Sequence, residues 1–168
     1  MSKYIYLDAV TGRLAERQAL QASTGAADAN KIPRLNAQGR LDPSLLPPDI
    51  GDDSSTLTAA DNLEAGDYVY VDSAEEVKLA SGGSGGVPAQ GFVLTTVSTG
   101  DLVVVYWEGR NTALSGLTPG ARQYLSATGA GEGVETPVTG AGNLHQYLGR
   151  AINATTVVFE PDDAITLA

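Results

Sequence analysis

The sequence predicts an all-β fold: a small barrel or sandwich built from two repeats of roughly 54 residues, preceded by an extended N-terminal arm. Three observations carry this. Glycine is frequent (20 of 168 residues) and aromatic residues are few, which favours short strands joined by many turns. From Leu57 onward, apolar β-favouring runs alternate with turn signals. The stretch after residue 110 also resembles the stretch before it at a constant offset. The chain divides into an arm over 1–51 and a β body over 52–168, with repeat units at about 57–107 and 111–161.

Taken in order, Tyr4-Ile5-Tyr6-Leu7 is a β-favouring run with apolar side chains on both faces. Such a strand pairs within its own domain or adds to the sheet edge of a neighbouring subunit. Thr11 to Ala22 has good helix formers without an apolar stripe, a composition that allows two or three turns of helix. Residues 24–51 follow, polar and rich in breakers. Gln38-Gly39 reads as a tight turn between short extended pieces. Pro43, Pro47 and Pro48 remove backbone donors and hold Leu45 and Leu46 on an extended strap.

The body reads as strands over 67–71, 76–80, 92–97 and 102–107, with Gly82–Gly86 as a flexible loop. Val103–Tyr106, apolar on both faces, reads as the most buried strand. At an offset of 54 residues, without gaps, Leu63 and Gly66 recur as Leu117 and Gly120, and Tyr70 as Tyr124. Leu94 recurs as Leu148, and Val103-Val104 as Val157-Val158. Ile165 and Leu167, at period two after a turn at 161–163, give a short final strand.

Charge separates the two parts. Residues 1–50 hold six basic residues against five acids, and residues 51–168 hold four against fifteen, for net charges of +1 and −11. An acidic body repels nucleic acid, and no basic patch interleaves with aromatics, so nucleic acid is not an expected partner. A solubility role explains the acidity equally well. There is no cysteine, hence no disulfide framework and no thiolate metal site. The opening residues lack the apolar core of a signal peptide, and no run is long enough to span a membrane, so neither a membrane partner nor export is expected.

Chemistry-bearing constellations are scarce. His145 is the single histidine, so a triad or a histidine metal cluster has no second member. Adjacent acids such as Glu75-Glu76 point opposite ways on an extended chain. The glycine runs lack the following Lys-Ser/Thr of a phosphate cradle. No enzyme, cofactor or metal is expected. Trp107 is a candidate surface-binding residue, for stacking on sugar or contacting protein, against the commoner role of capping a small core.

The segment Gly25-Ala-Ala-Asp-Ala-Asn-Lys-Ile-Pro-Arg-Leu-Asn-Ala-Gln-Gly-Arg-Leu-Asp-Pro-Ser-Leu-Leu-Pro-Pro-Asp-Ile-Gly51 resembles a module of tailed-bacteriophage virion proteins. The module's pattern is Gly-Ala-x-Asp-Ala-Gly-Lys-Ile-Val-x-Leu-Asp-x-x-Gly-Arg-Leu-Asp-x-Ser-x-Leu-Pro-x-Gly-Ile-Gly. This chain departs by Asn30 for the second glycine, Pro33 for valine, Asn36 for aspartate and Asp49 for a later glycine. Leu117-Thr-Pro-Gly120, Tyr124-Leu-Ser126, Thr136-Pro137 and Gln146-Tyr-Leu-Gly-Arg-Ala151 extend the resemblance. A small β domain with an arm is similar to capsid decoration (cement) and head-fibre proteins. The resemblance implies a homotrimer on the outer surface of the virion, bound to the major capsid protein after synthesis in the host cytoplasm. Tyr4, Ile5, Tyr6, Leu7, Ile32, Leu35, Leu41, Leu45 and Leu46 are the expected contacts. The alternative is a tail- or fibre-associated receptor-binding module, using the Gly82–Gly86 loop and Trp107.

Overall fold

The computed structural model describes residues 2–46 and 53–168 and is all-β, with two 3-10 turns. The chain divides into two compact units, Met1–Gly51 and Asp52–Ala168.

In the first unit, β1 (Lys3–Leu7) and β2 (Leu14–Gln18) form an antiparallel hairpin with Lys3 opposite Gln18 and Leu7 opposite Leu14. The helix allowed over 11–22 is therefore replaced by a strand. The Tyr4–Leu7 run needs a partner for its backbone, and the segment after the Asp8–Gly12 turn supplies it, overriding the helix propensity of Ala15 to Gln18. The strap is also not extended throughout. Ala26–Asp28 and Pro43–Leu45 are single 3-10 turns, and Leu45 lies on the second of them. Pro47 and Pro48 lie outside the described residues.

The second unit begins with a closed five-stranded barrel. Its strands are β3 (Ser54–Ala59), β4 (Tyr68–Val71), β5 (Glu76–Leu79), β6 (Gly91–Val93) and β7 (Leu102–Tyr106), with neighbour order β3-β5-β4-β6-β7. A short parallel pair, Thr58 opposite Glu76 and Ala59 opposite Val77, closes the ring. Five more strands form an open sheet: β8 (Gly109–Asn111), β9 (Arg122–Leu125), β10 (Gly133–Val134), β12 (Tyr147–Asn153) and β13 (Thr156–Phe159), in the order β10-β9-β12-β13-β8. Counted along the chain within each sheet, both follow the neighbour order third, second, fourth, fifth, first; only the barrel joins first to third. Leu57 faces Val103 in one, and Asn111 faces Val157 in the other, the same register 54 residues on. The offset is not gapless throughout: Gly133 pairs with Leu125, two residues beyond the position that Val69 opposite Leu79 would give. Finally β11 (Leu144–His145) pairs with β14 (Ile165–Thr166).

Two cores hold this unit. Ala59, Leu63, Val69, Val77, Val93, Val103 and Val105 fill the barrel. Tyr68, Phe92, Leu125, Leu148 and Phe159, with Ala80 and Ala89, join the barrel wall to the open sheet. β4 and β6 are thus buried on both faces. β7 is not: Val103 and Val105 point inward, while Leu102 and Val104 are exposed, because β7 lines the barrel on one side only. Backbone also packs closely against backbone between the neighbouring strands β12 and β13. A Cβ on Gly149, whose φ is +146°, would sit 1.9 Å from the Val158 carbonyl oxygen. The Gly82–Gly86 segment is tied rather than loose: the Gly82 N–H donates to the Ser126 carbonyl at 2.8 Å, and its carbonyl accepts from the Leu144 N–H at 2.8 Å. Glycine at position 82 admits that approach, since a Cβ would lie 2.7 Å from the Leu125 carbonyl oxygen.

Candidate functional site

The hairpin of the first unit is built from its turn outward. The Asp8 carboxylate accepts the N–H groups of Val10 at 2.9 Å and Thr11 at 3.0 Å. These two bonds hold its pKa below the ordinary carboxylate value. Strand alternation then sorts the side chains. Tyr4, Tyr6, Ala15 and Arg17 share one half-buried face, where the Arg17 guanidinium lies 4.0 Å over the Tyr6 ring. The other face carries Ile5, Leu7 and Leu14, which are 72%, 66% and 74% exposed. Leu7 and Leu14 stand directly opposite one another, and Lys3 pairs with Glu16 at 3.0 Å beside them. Three large aliphatic side chains therefore form a contiguous apolar patch on one side of a two-stranded sheet. Among the described residues neither hairpin edge carries a further strand.

The rest of the unit is organised by polar side chains that close turns. Asp28 accepts the Thr24 N–H at 2.6 Å and its hydroxyl at 2.8 Å, and forms an ion pair with Lys31. The Lys31 ammonium first, then Thr24, pulls the Asp28 pKa down to about 2. Asn36 accepts from the N–H groups of Gln38 and Arg40 at 2.9 and 3.0 Å. Asp42 accepts from the Ser44 hydroxyl at 2.6 Å, and Ser44 in turn accepts the Ser23 N–H at 2.8 Å. Asp28, Asn36 and Asp42 thus each hold a turn of the segment. Asn30 has φ +63°, a conformation that glycine and asparagine adopt at least cost, so asparagine keeps the backbone that glycine would take there.

The expected contact residues divide among these features. Ile5 and Leu7 lie on the outward hairpin face, whereas Tyr4 and Tyr6 turn to the opposite face and pack against Arg17. Ile32, Leu35, Leu41 and Leu46 are exposed, and Leu45 is half-buried. Leu14 belongs with Ile5 and Leu7 and was not anticipated; the Asp8-to-Gly12 turn is the signal that would have placed it opposite Leu7. In the second unit Trp107 packs against the barrel core, and its indole N–H donates to the Ser55 hydroxyl at 3.1 Å. It lies in the bend between β7 and β8, half-buried against the barrel rather than displayed. Comparison of the chain with models of known protein families and with curated proteins finds no match to either.

Proposed function

We propose that this is a structural attachment protein of a tailed-phage virion, a capsid decoration protein whose first unit docks on the major capsid protein and whose acidic second unit is displayed. The outward patch of Ile5, Leu7 and Leu14 carries the reading. A two-stranded hairpin is marginal alone in water, and three exposed aliphatic side chains on one face stabilise it only once something covers them. Its free edges add a second mode of attachment, pairing with a strand of the partner. The near-neutral charge of residues 1–50 permits approach to a surface that the −11 body would not favour. In a homotrimer three hairpins would act together, so that weak single contacts sum to firm attachment. The shared strand order of the two body sheets fits a duplicated unit that enlarges the displayed part.

The test uses the full chain with Ile5→Asp, Leu7→Asp and Leu14→Asp combined, on a face where charge disturbs no packing. Purified shells lacking the protein are mixed with wild type or variant and sedimented. Wild type should co-sediment, and the variant should need at least tenfold more protein for equal occupancy. Equal occupancy by the two would overturn the reading.

A further inference from the structure

The second unit holds only four basic residues, Lys78, Arg110, Arg122 and Arg150, among fifteen acids. Lys78 is committed to Asp72 at 2.8 Å. The three arginines lie on one line. Arg122 on β9 is opposite Arg150 on β12; Arg150 is opposite Val158 on β13; Val158 is opposite Arg110 on β8. Residues directly opposite share a face, so the row Arg122, Arg150, Val158, Arg110 crosses the open sheet, and all three arginines are exposed. Adjacent strands lie about 4.8 Å apart. Like charges directly opposite destabilise a sheet. Yet among the described residues none of the three has an acidic partner, in a unit with acids to spare.

Beside this row is an open cleft of about 280 Å³ lined by Arg122, Tyr124, His145, Tyr147, Arg150 and Asp162. The Tyr124 ring lies 5.2 Å from His145 and 5.9 Å from Tyr147, edge to face, giving the cleft an aromatic wall. Arg150 spends one N–H on the Gly120 carbonyl at 2.9 Å, which fixes its guanidinium and leaves the other donors free. Asp162 also lines the cleft and is an acceptor.

We propose that this cleft binds a carboxylate-bearing sugar unit of an acidic polysaccharide, a site additional to the hairpin surface. Arg122 and Arg150 bind the carboxylate, for which a guanidinium fork is the matching donor. The aromatic wall takes the apolar face of the sugar ring, and Asp162 accepts its hydroxyls. An acidic peptide of glutamate or aspartate has no ring for the wall. Arg110, further along the row, serves the next acidic unit of the chain.

The chain carries its own reporters, one histidine and one tryptophan. Trigalacturonate is titrated into the full-length protein, and proton NMR follows the His145 ring C–H and the Trp107 indole N–H. The expected result is a saturable shift of His145 with Trp107 unmoved. The methyl ester of the same trisaccharide should bind at least tenfold more weakly, and Arg122→Gln should weaken trigalacturonate binding at least tenfold. Should Arg122→Gln disturb the Trp107 signal, Arg110→Gln takes its place, with a loss of about threefold expected. No saturable shift at His145, equal binding of the ester, or unchanged affinity in the variant would overturn the proposal. So would hexaglutamate binding as tightly as trigalacturonate, which would assign the cleft to acidic peptides.

Discussion

Residues 2–46 and 53–168 are both built of strands and turns, but by opposite means. In the longer stretch buried apolar side chains fill two cores, and Tyr68, Phe92, Leu125, Leu148 and Phe159 make one of them continuous. Among the described side chains of the shorter stretch Ala19 is the one apolar residue that is buried, while Ile5, Leu7, Val10, Leu14, Ile32, Leu35, Leu41 and Leu46 are exposed. Asp8, Asp28, Asn36 and Asp42 hold its turns. Burial stabilises by roughly 25 cal/mol per Å² of apolar surface, whereas a hydrogen bond nets about 1 kcal/mol. The longer unit therefore completes itself. The shorter one has its shape specified locally and its apolar surface left over, the distribution that the proposed docking requires.

The largest break in this contrast comes from the backbone of the longer unit. Gly149→Ala would force a Cβ to 1.9 Å from the Val158 carbonyl oxygen, at a φ of +146°. The β12-β13 pair must part, and loss of more than about 4 kcal/mol is expected. Urea unfolding followed by Trp107 fluorescence checks it; a midpoint within error of wild type would show that the close approach is not required. Next is Phe159→Ala, which removes a ring contacting both Tyr68 (centroids 5.7 Å apart) and Phe92 (5.5 Å). A loss of about 3–5 kcal/mol is expected for a buried phenylalanine. A loss below 1 kcal/mol in the same measurement would mean that this second core does not bear the unit's stability.

A smaller effect tests the polar exception inside the longer unit. The buried Gln146 side chain acts as a piece of backbone: its Oε1 accepts the Ala89 N–H at 2.7 Å, and its Nε2 donates to the Ala89 carbonyl at 2.9 Å. Gln146→Leu strands both Ala89 groups and should cost about 1–3 kcal/mol. Full stability of the variant would indicate that the pair contributes nothing net.

How far the sequence reached follows the same division. Tyr68–Val71 and Leu102–Tyr106 stood out because valine and tyrosine cluster between glycine-bearing turns, and Thr156–Phe159 through its repeat counterpart, whereas β3, β8, β10 and β11 carried no such signal and β6 stops at Val93 rather than running to 97. β2 did not, because Ala15, Glu16, Arg17 and Gln18 favour helix and only pairing with β1 makes them a strand. One-sided burial of β7 and the tying of Gly82 both depend on what packs opposite, which composition does not encode. The arginine row was invisible for a similar reason: positions 110, 122 and 150 become neighbours only through the registers of four strands. Of the hairpin patch, Ile5 and Leu7 were legible as apolar residues of a strand, and Leu14 needed the turn.

The contrast is sharpest in acid. Asp8, Asp28 and Asp42 all have pKa values lowered in the folded chain, Asp28 to about 2. A lowered carboxylate contributes stability that is present above its unfolded value of 3.8 and lost as pH falls through the folded one. Asp67, in the longer unit, runs the other way: burial first, then Glu64 and Glu132, raises its pKa, so its contribution is favourable below 3.8 and fades as pH rises through the raised value. Asp72, lowered by Lys78, adds one loss of the first kind to that unit. Acidification from about pH 5 to about pH 2 should therefore loosen residues 24–31 before the two cores. Hydrogen-exchange protection, corrected for the intrinsic pH dependence, should fall over 24–31 while β9 and β12 keep theirs. Asp28→Ala should reproduce the local loss at pH 7 without moving the Trp107 unfolding midpoint. If β9 and β12 lost protection together with 24–31, or if the substitution shifted that midpoint, the two units would be one cooperative structure, and the division between a self-completed part and an unfinished one would fail.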